Sequence, residues 1–229
     1  MTALTRIEMY ADLSCPFAYV THARWRQLRP EYAGRAEIIH KCLALEYVNR
    51  EPTPKPTIEV ELPILLLGEP EIPYAPWRAA ASEWPVTFWP AFEAVKCAER
   101  QGLAAADDLA WAIRVAFFAE HRCVSMRHVL LDLAERVGLD QERFTRDFDS
   151  GVAKGSVIEE ARDGWERLKA PGSPTWALPS GVMVSELGLP ELDLDQGGRP
   201  IQHAPAPCSG GACLDRLRRV LDEALGVRR

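Results

Sequence analysis

ADLSCPFAYV, residues 11–20, decides how this chain folds, because within that stretch the pattern turns from strand to helix. Upstream, RIEMYADL (6–13) alternates polar and apolar side chains, with Ile7 and the apolar part of Met9 on one side, which predicts a strand. Downstream, Pro16 opens a helical stretch, PFAYVTHARWRQLRPEY (16–32). Proline is favoured at a first helical position because its missing N–H had no partner there. Ser14 is placed to cap the helix. Phe17, Val20, Ala23, Trp25 and Leu28 supply its apolar stripe, and Pro30 ends it. AEIIHKCLAL (36–45) then reads as a second apolar strand, a buried parallel partner of the first. The crossover between them must be right-handed.

Residues 46–90 are rich in proline but carry Tyr47, Tyr74, Trp77, Trp84, Phe88 and Trp89. Disordered linkers are poor in such residues. The stretch therefore reads as an ordered, packed loop with one short helix near Trp77 to Glu83. From Ala91 to Lys169 the pattern is helical almost throughout. Leu109, Ala112, Ile113, Ala116 and Phe117 share one face, and Trp111, Val115 and Phe118 form a second stripe, so that helix is predicted to be buried on two sides. APGSPTWALPSGVMVSE (170–186) reads as strand, turn, strand. A Gly/Pro-rich loop, roughly Gly188 to Gly211, leads to a final helix, ACLDRLRRVLDEAL (212–225). The order is β-α-β, helical insertion, β-β-α. The strand at 6–11 should pair in parallel with 37–44 and antiparallel with 175–179, and 75–169 should be essentially free of strands.

Composition narrows the function classes. The chain has 229 residues, 47% hydrophobic and 26% charged, an ordinary make-up for a globular protein. Its formal net charge of −6 argues against nucleic-acid binding, which needs a basic face. The longest apolar run, near Leu62 to Leu67, is short and broken by Pro63, so no membrane span is expected. MTALTRIEMYADLS lacks the basic stretch and apolar core of a signal peptide, so a cytoplasmic setting is expected. The six cysteines are irregularly spaced and contain no paired C-x-x-C zinc framework, so no metal is expected. Cys42, Cys97 and Cys123 sit in apolar strand or helical contexts and read as small buried hydrophobes.

ADLSCPFAYV followed much later by GSPTW (172–176) resembles the DsbA-like branch of the thioredoxin superfamily. That branch includes FrnE-type proteins, kappa-class glutathione transferases and 2-hydroxychromene-2-carboxylate isomerases. The resemblance implies an α/β, thioredoxin-like fold with a large α-helical insertion between the β-α-β and β-β-α halves. Residues 1–60 and 170–229 would form the thioredoxin-like domain and 61–169 the helical insertion subdomain. It also implies a thiol–disulfide oxidoreductase with Cys15 as nucleophile and Pro174 as a cis-proline beside it. Pro16, Phe17, Ala18, Ser173 and Thr175 would line the substrate or thiol site. No tightly bound cofactor is implied; the co-reactant would be glutathione or another low-molecular-weight thiol. The partner would be a protein or small-molecule thiol or disulfide, and a homodimer is compatible with the family.

The residues support a reactive Cys15 on their own terms. A thiolate at a helix N-terminus meets unpaired N–H groups and the positive end of the dipole. Thiols in that position can fall from a pKa of about 8.5 to roughly 3.5–7.5. The departure from the family lies at Ala18, where a second cysteine would stand. Cys15-Pro16-Phe17-Ala18 cannot resolve a mixed disulfide locally. Three routes remain open at this point. A small thiol could resolve Cys15 by exchange. Cys208 or Cys213, in a C-terminal CSGGAC expected to be exposed, could do so from a mobile loop, or the two could close a disulfide with each other across the turn that Gly210 and Gly211 permit. Or Cys15 could serve a bound small thiol without redox turnover, as in the transferases and isomerases; a thioredoxin-fold binding protein without catalysis is the remaining alternative.

Overall fold

The computed structural model describes residues 4–185, 187–195, 200–204 and 211–227. Its central sheet begins with β1 (Thr5–Ala11), crosses over through α1 (Pro16–Leu28) and returns as β2 (Ala36–Cys42). β1 and β2 pair in parallel, Ile7 opposite Ile38 and Met9 opposite His40. β3 (Thr175–Ala177) joins the other side of β1 in antiparallel sense, and β4 (Met183–Val184) pairs antiparallel with β3. The strand order is β2-β1-β3-β4. Between β2 and β3 the described chain from 43 to 174 contains no strand, in accord with the expected helical insertion.

That insertion runs through α2 (Leu45–Asn49), α3 (Lys55–Leu65), α4 (Trp89–Glu99), α5 (Leu103–Phe118), α6 (Arg127–Arg136), α7 (Gln141–Asp149) and α8 (Lys154–Arg162). The proline-rich tract is thus not the loop its composition suggests. Pro56 occupies the first turn of α3, where a missing N–H costs nothing, and Ile58, Leu62 and Leu65 give the helix a buried face. The helix expected near Trp77 to Glu83 shrinks to a 3-10 turn, Ala81–Glu83. The Gly/Pro-rich segment before the last helix holds a two-stranded sheet, β5 (Glu191–Leu194) with β6 (Pro200–Ala204). α9 (Gly211–Ala224) closes the fold.

Among the described residues, two large apolar cores and a small cluster of Tyr10, Leu43 and Ala170 sit around this frame. One joins Ile7, Met9, Ile38 and Trp176 of the sheet to Trp25 and Leu28 of α1 and Leu217 and Leu221 of α9. The larger core fills the insertion, where Phe88, Leu109, Ile113, Phe117 and Leu130 meet Tyr19 and Val20 from the opposite face of α1. α1 is therefore wedged between both cores. That explains why Tyr19, Val20, His22, Arg24 and Trp25 are all buried on one helix.

After α8 the helix widens into a π-turn, Asp163–Arg167, which packs tightly on Tyr10 and Leu43. A Cβ added at Gly164 would lie 2.5 Å from Leu43 Cδ1 and 3.0 Å from Tyr10 Cδ1. Leu43 is fully buried and cannot swing away. Gly164→Ala should therefore destabilise the fold by about 1–3 kcal/mol, the usual cost of overpacking, as a lower urea midpoint with unchanged slope.

Candidate active site

The loop between β1 and α1 is shaped by Asp12, a residue its sequence pattern did not single out. Oδ1 of Asp12 accepts from the Ser14 amide and the Ser14 hydroxyl, both at 2.6 Å, a local Asx turn. Oδ2 accepts from the Leu45 amide at 2.7 Å, tying the loop to the start of α2. Ser14 is thus spent on Asp12 and does not cap α1. The N-cap position belongs to Cys15, with Pro16 following in the first turn, and Cys15 makes no side-chain cap bond. The D-x-S pattern at a strand-to-helix junction was the available signal.

Cys15 meets the far end of the chain at Ser173. Its Sγ–H donates to the Ser173 carbonyl at 3.2 Å, and the Asp12 amide donates to Ser173 Oγ at 2.8 Å. One serine therefore clasps both halves of the motif. The Ser173–Pro174 peptide bond is cis. Thr175 is buried and bonds back to the Gly172 carbonyl at 2.6 Å, and it opens the strand that pairs with Tyr10. Pro16 and Ala18 are buried, whereas Phe17 is half-buried and packs against both cores.

Electrostatically the site differs from the expected low-pKa thiol. Burial pushes the Cys15 thiol up to about 11, and the nearby Asp12 and Glu61 carboxylates add to that rise. The Ala18 amide and Ser173 pull the other way but do not prevail. The helix N-terminus is present, yet Cys15 is only 5% exposed, and removing water from a thiolate outweighs the dipole. In this closed arrangement Cys15 rests as a thiol that donates a hydrogen bond. Glu61 itself, on α3, is pushed up to about 7 by burial.

The remaining cysteines fall into two groups. Cys15, Cys42, Cys97 and Cys123 are free, Cys42 and Cys97 being buried and Cys123 half-buried. Burial raises the Cys42 thiol well above its ordinary value and that of Cys97 to about 12. Cys213, expected on the surface, is buried at the start of α9 and is disulfide-bonded. Cys208 lies outside the described residues. The structure thus brings Cys15, Ser173 and Pro174 together, while the sulfur of Cys213 is already committed.

Beneath α1 lies a charged centre that periodicity gave no means to find. Asp107 on α5 is 3% exposed, yet its Oδ1 receives His40 Nε2 at 2.8 Å, His22 Nε2 at 3.0 Å and Trp25 Nε1 at 3.0 Å. Its Oδ2 receives Arg29 at 2.9 Å and Arg26 at 3.2 Å. Burial alone would raise this carboxyl, but the hydrogen bonds from His22 and His40 hold it well below the ordinary range. His22 Nδ1 faces Arg114 Nη1 at 3.5 Å. Arginine only donates, so Nδ1 is the acceptor and the proton of neutral His22 sits on Nε2. His22, His40 and Asp107 could together offer three ligand atoms within 4.8 Å of one another to a metal ion. A cation there would have to displace the Trp25 N–H and sit beside two guanidinium groups, so the set fits a hydrogen-bonded charge centre better than a metal site.

This centre makes stability depend on pH. Burial lowers His22 from 6.5 to about 3, with Asp107 opposing. The unfolded chain takes up a proton at His22 below about pH 6.5 that the folded chain refuses down to about 3. Stability should accordingly fall as pH drops through that window, by at most about 1.4 kcal/mol per pH unit from this group. Asp107 adds a loss of the same sign only below about pH 5, where the unfolded carboxylate begins to take up protons. His22→Gln keeps a donor and an acceptor but cannot titrate. Urea midpoints at pH 7.5 and 5 should converge in that variant, and an undiminished difference would assign the slope elsewhere.

A thioredoxin family model matches residues 71–161, which lie within the helical insertion. Among solved structures, a candidate protein disulfide isomerase from Nitrosomonas europaea superposes with a TM-score of 0.69 at 16% identity, covering 96% of this chain and 99% of that one. Cytosolic disulfide reductase DsbM from Pseudomonas aeruginosa with GSH gives 0.65 at 20% identity, covering 94% and 98%. 2-Hydroxychromene-2-carboxylate isomerase gives 0.58 at 15% identity, covering 98% and 100%. The likeness establishes the fold: a thioredoxin-like fold with a helical insertion.

Proposed function

We propose that this chain is a DsbA-type thiol–disulfide oxidoreductase in which Cys15 works as a single thiol with glutathione or a similar small thiol as co-reactant. The observation that carries the reading is the seat of Cys15. Its sulfur lies at the N-terminus of α1 and bonds to the carbonyl of Ser173, next to Pro174. An extended substrate whose N–H took that carbonyl would strip the thiol of its acceptor and leave the Ala18 amide for a thiolate.

The chemistry then balances in three exchanges. Cys15 loses its proton, and its thiolate attacks a substrate disulfide R–S–S–R′. A Cys15–S–S–R bond forms and R′–S⁻ leaves. One small-thiol anion attacks the Cys15 sulfur, forms a Cys15–small-thiol disulfide and releases R–S⁻. A second small-thiol anion attacks the small-thiol sulfur, restoring Cys15–S⁻ and leaving the oxidised small-thiol dimer. Two small thiols are oxidised for each substrate disulfide reduced. Ala18 makes a resolving thiol from outside the motif necessary, and the bonded state of Cys213 favours a small thiol over an internal partner. A reducing, cytoplasmic setting would supply the thiol.

A second reading has its own observation. Burial keeps Cys15 protonated as a hydrogen-bond donor. Such a donor suits the support of another sulfur's thiolate, the role a small-thiol-dependent transferase or isomerase needs. Parallel assays of the same preparation separate the two. Glutathione-dependent reduction of insulin disulfides without glutathione conjugation of an electrophile supports the first reading. Conjugation without disulfide reduction would replace it with the second.

A further inference from the structure

We propose that Arg114 is a positioning residue that sets the ionisation of Cys15 from within the helical insertion. This rests on Cys15 being the reactive sulfur of the preceding reading. Arg114 lies on α5, between two apolar stripes, and is 1% exposed. Its Nη2 donates to the main-chain carbonyl of Asp12 at 3.0 Å, in the turn that carries Cys15. Nη1 faces His22 Nδ1 at 3.5 Å, and Nε has no hydrogen-bond partner among the described residues. A guanidinium is seldom buried with a free N–H, because leaving a charged donor unmade is costly. Its placement against the loop is what needs explaining.

The charges around it suggest the answer. Facing Cys15 are Asp12 from its own loop, Glu61 from α3 and the Ser173 carbonyl from the segment before β3. Facing Arg114 are His22 and Tyr19 from α1, Asp12, Cys15 and its own neighbour Asp107. Burial raises the Asp12 carboxyl, while three hydrogen bonds from Ser14 and Leu45 and the nearby Arg114 cation pull it back toward the carboxylate. Arg114 is the buried cation that balances it. Burial lowers the guanidinium to about 10, with Asp12, Cys15 and Asp107 pushing back, so it stays charged at neutral pH. Among Asp12, Arg114 and Cys15 alone, ionising the thiol with Arg114 in place leaves one net negative charge. Without it, the same step leaves two. The His22 contact fixes the guanidinium in register, and His22 is fixed in turn by Asp107.

The test is the pH dependence of Cys15 alkylation by iodoacetamide, read at the Cys15 peptide by mass. Circular dichroism on each variant reports folding. Arg114→Met should slow the reaction at pH 7–9, where the guanidinium carries its charge, by roughly 10- to 100-fold, tenfold for each pKa unit of lost thiolate stabilisation. Arg114→Lys, which keeps the charge, should recover most of that loss. Asp12→Asn should have the opposite effect and speed alkylation. A folded Arg114→Met with the wild-type pH profile overturns the proposal, since a packing role alone would alter stability and leave the profile in place. Should Arg114→Met fail to fold, Asp12→Asn decides: an unchanged or slowed reaction overturns it. Wild-type protein that is alkylated at Cys15 but inert toward disulfides would defeat the enzymatic reading while leaving the Arg114 effect measurable.

Discussion

Replacing Cys15 by serine is expected to lower glutathione-dependent disulfide reduction by at least ~10³-fold, while the protein remains folded. Serine is close in size, and its hydroxyl can still donate to the Ser173 carbonyl that now receives the thiol at 3.2 Å. The clasp between Ser173 and Asp12 does not involve Cys15 and should persist. What the oxygen cannot do is form and release a disulfide. The variant therefore isolates sulfur chemistry from packing. It also discriminates between the two readings of the site. If Cys15 serves only as a donor to a bound thiolate, the serine variant keeps much of its conjugation or isomerisation activity. If Cys15 is attacked and attacks, nothing compensates for its loss. Reduction rates and melting curves on the same samples check both halves of the expectation.

Asp107→Ala should destabilise the fold by about 3–5 kcal/mol, the range for breaking a buried charge network from one side. For a chain of this size that corresponds to a fall in melting temperature of roughly 6–20 °C. The effect is large because five donors converge on one buried carboxylate. Arg26 and Arg29 still reach Asp108 and the solvent, so they lose little. His22, His40 and Trp25 have no such recourse, and their N–H groups would be left without partners in a dry site. His22 also orients toward Arg114, so the loss should spread to the Cys15 loop and raise the pH at which Cys15 is alkylated. Scanning calorimetry measures the first effect. A fall below about 1 kcal/mol would mean that these groups find water or other partners once the carboxylate is gone.

The parts of the fold that local pattern could show were those where neighbours in sequence carry the signal. Alternation around Ile7 and Met9, and Pro16 at the start of α1, placed the β-α-β unit, and both apolar residues are fully buried. α3 escaped because Pro54, Pro56 and Pro63 look like loop chemistry, although prolines in a first turn are compatible with helix. The hairpin of β5 and β6 was hidden in a Gly/Pro-rich stretch for a similar reason. In the site, Cys15, Ser173 and Pro174 came from the paired motifs, but the state of the thiol did not. Its pKa depends on burial by segments that lie far along the chain. Asp107 and Arg114 stood in a helix otherwise apolar on two faces, and a charge there was the one visible cue. Their partners His22 and His40 lie 85 and 67 residues away in sequence from Asp107. No local pattern encodes such a meeting.

Incubating the full chain with oxidised glutathione near pH 8 and mapping adducts by peptide mass tests whether Cys15 works as a single exchanging thiol. A glutathione is expected on Cys15, removed again by excess reduced glutathione, because substrate binding at the Ser173 segment frees its sulfur at the start of α1; Cys42 and Cys97, buried away from that segment, should stay unmodified, and half-buried Cys123 is scored as a separate peptide. A folded protein whose Cys15 stays unmodified, or whose Cys15 is found joined to Cys208 or Cys213 instead, would contradict the single-thiol role.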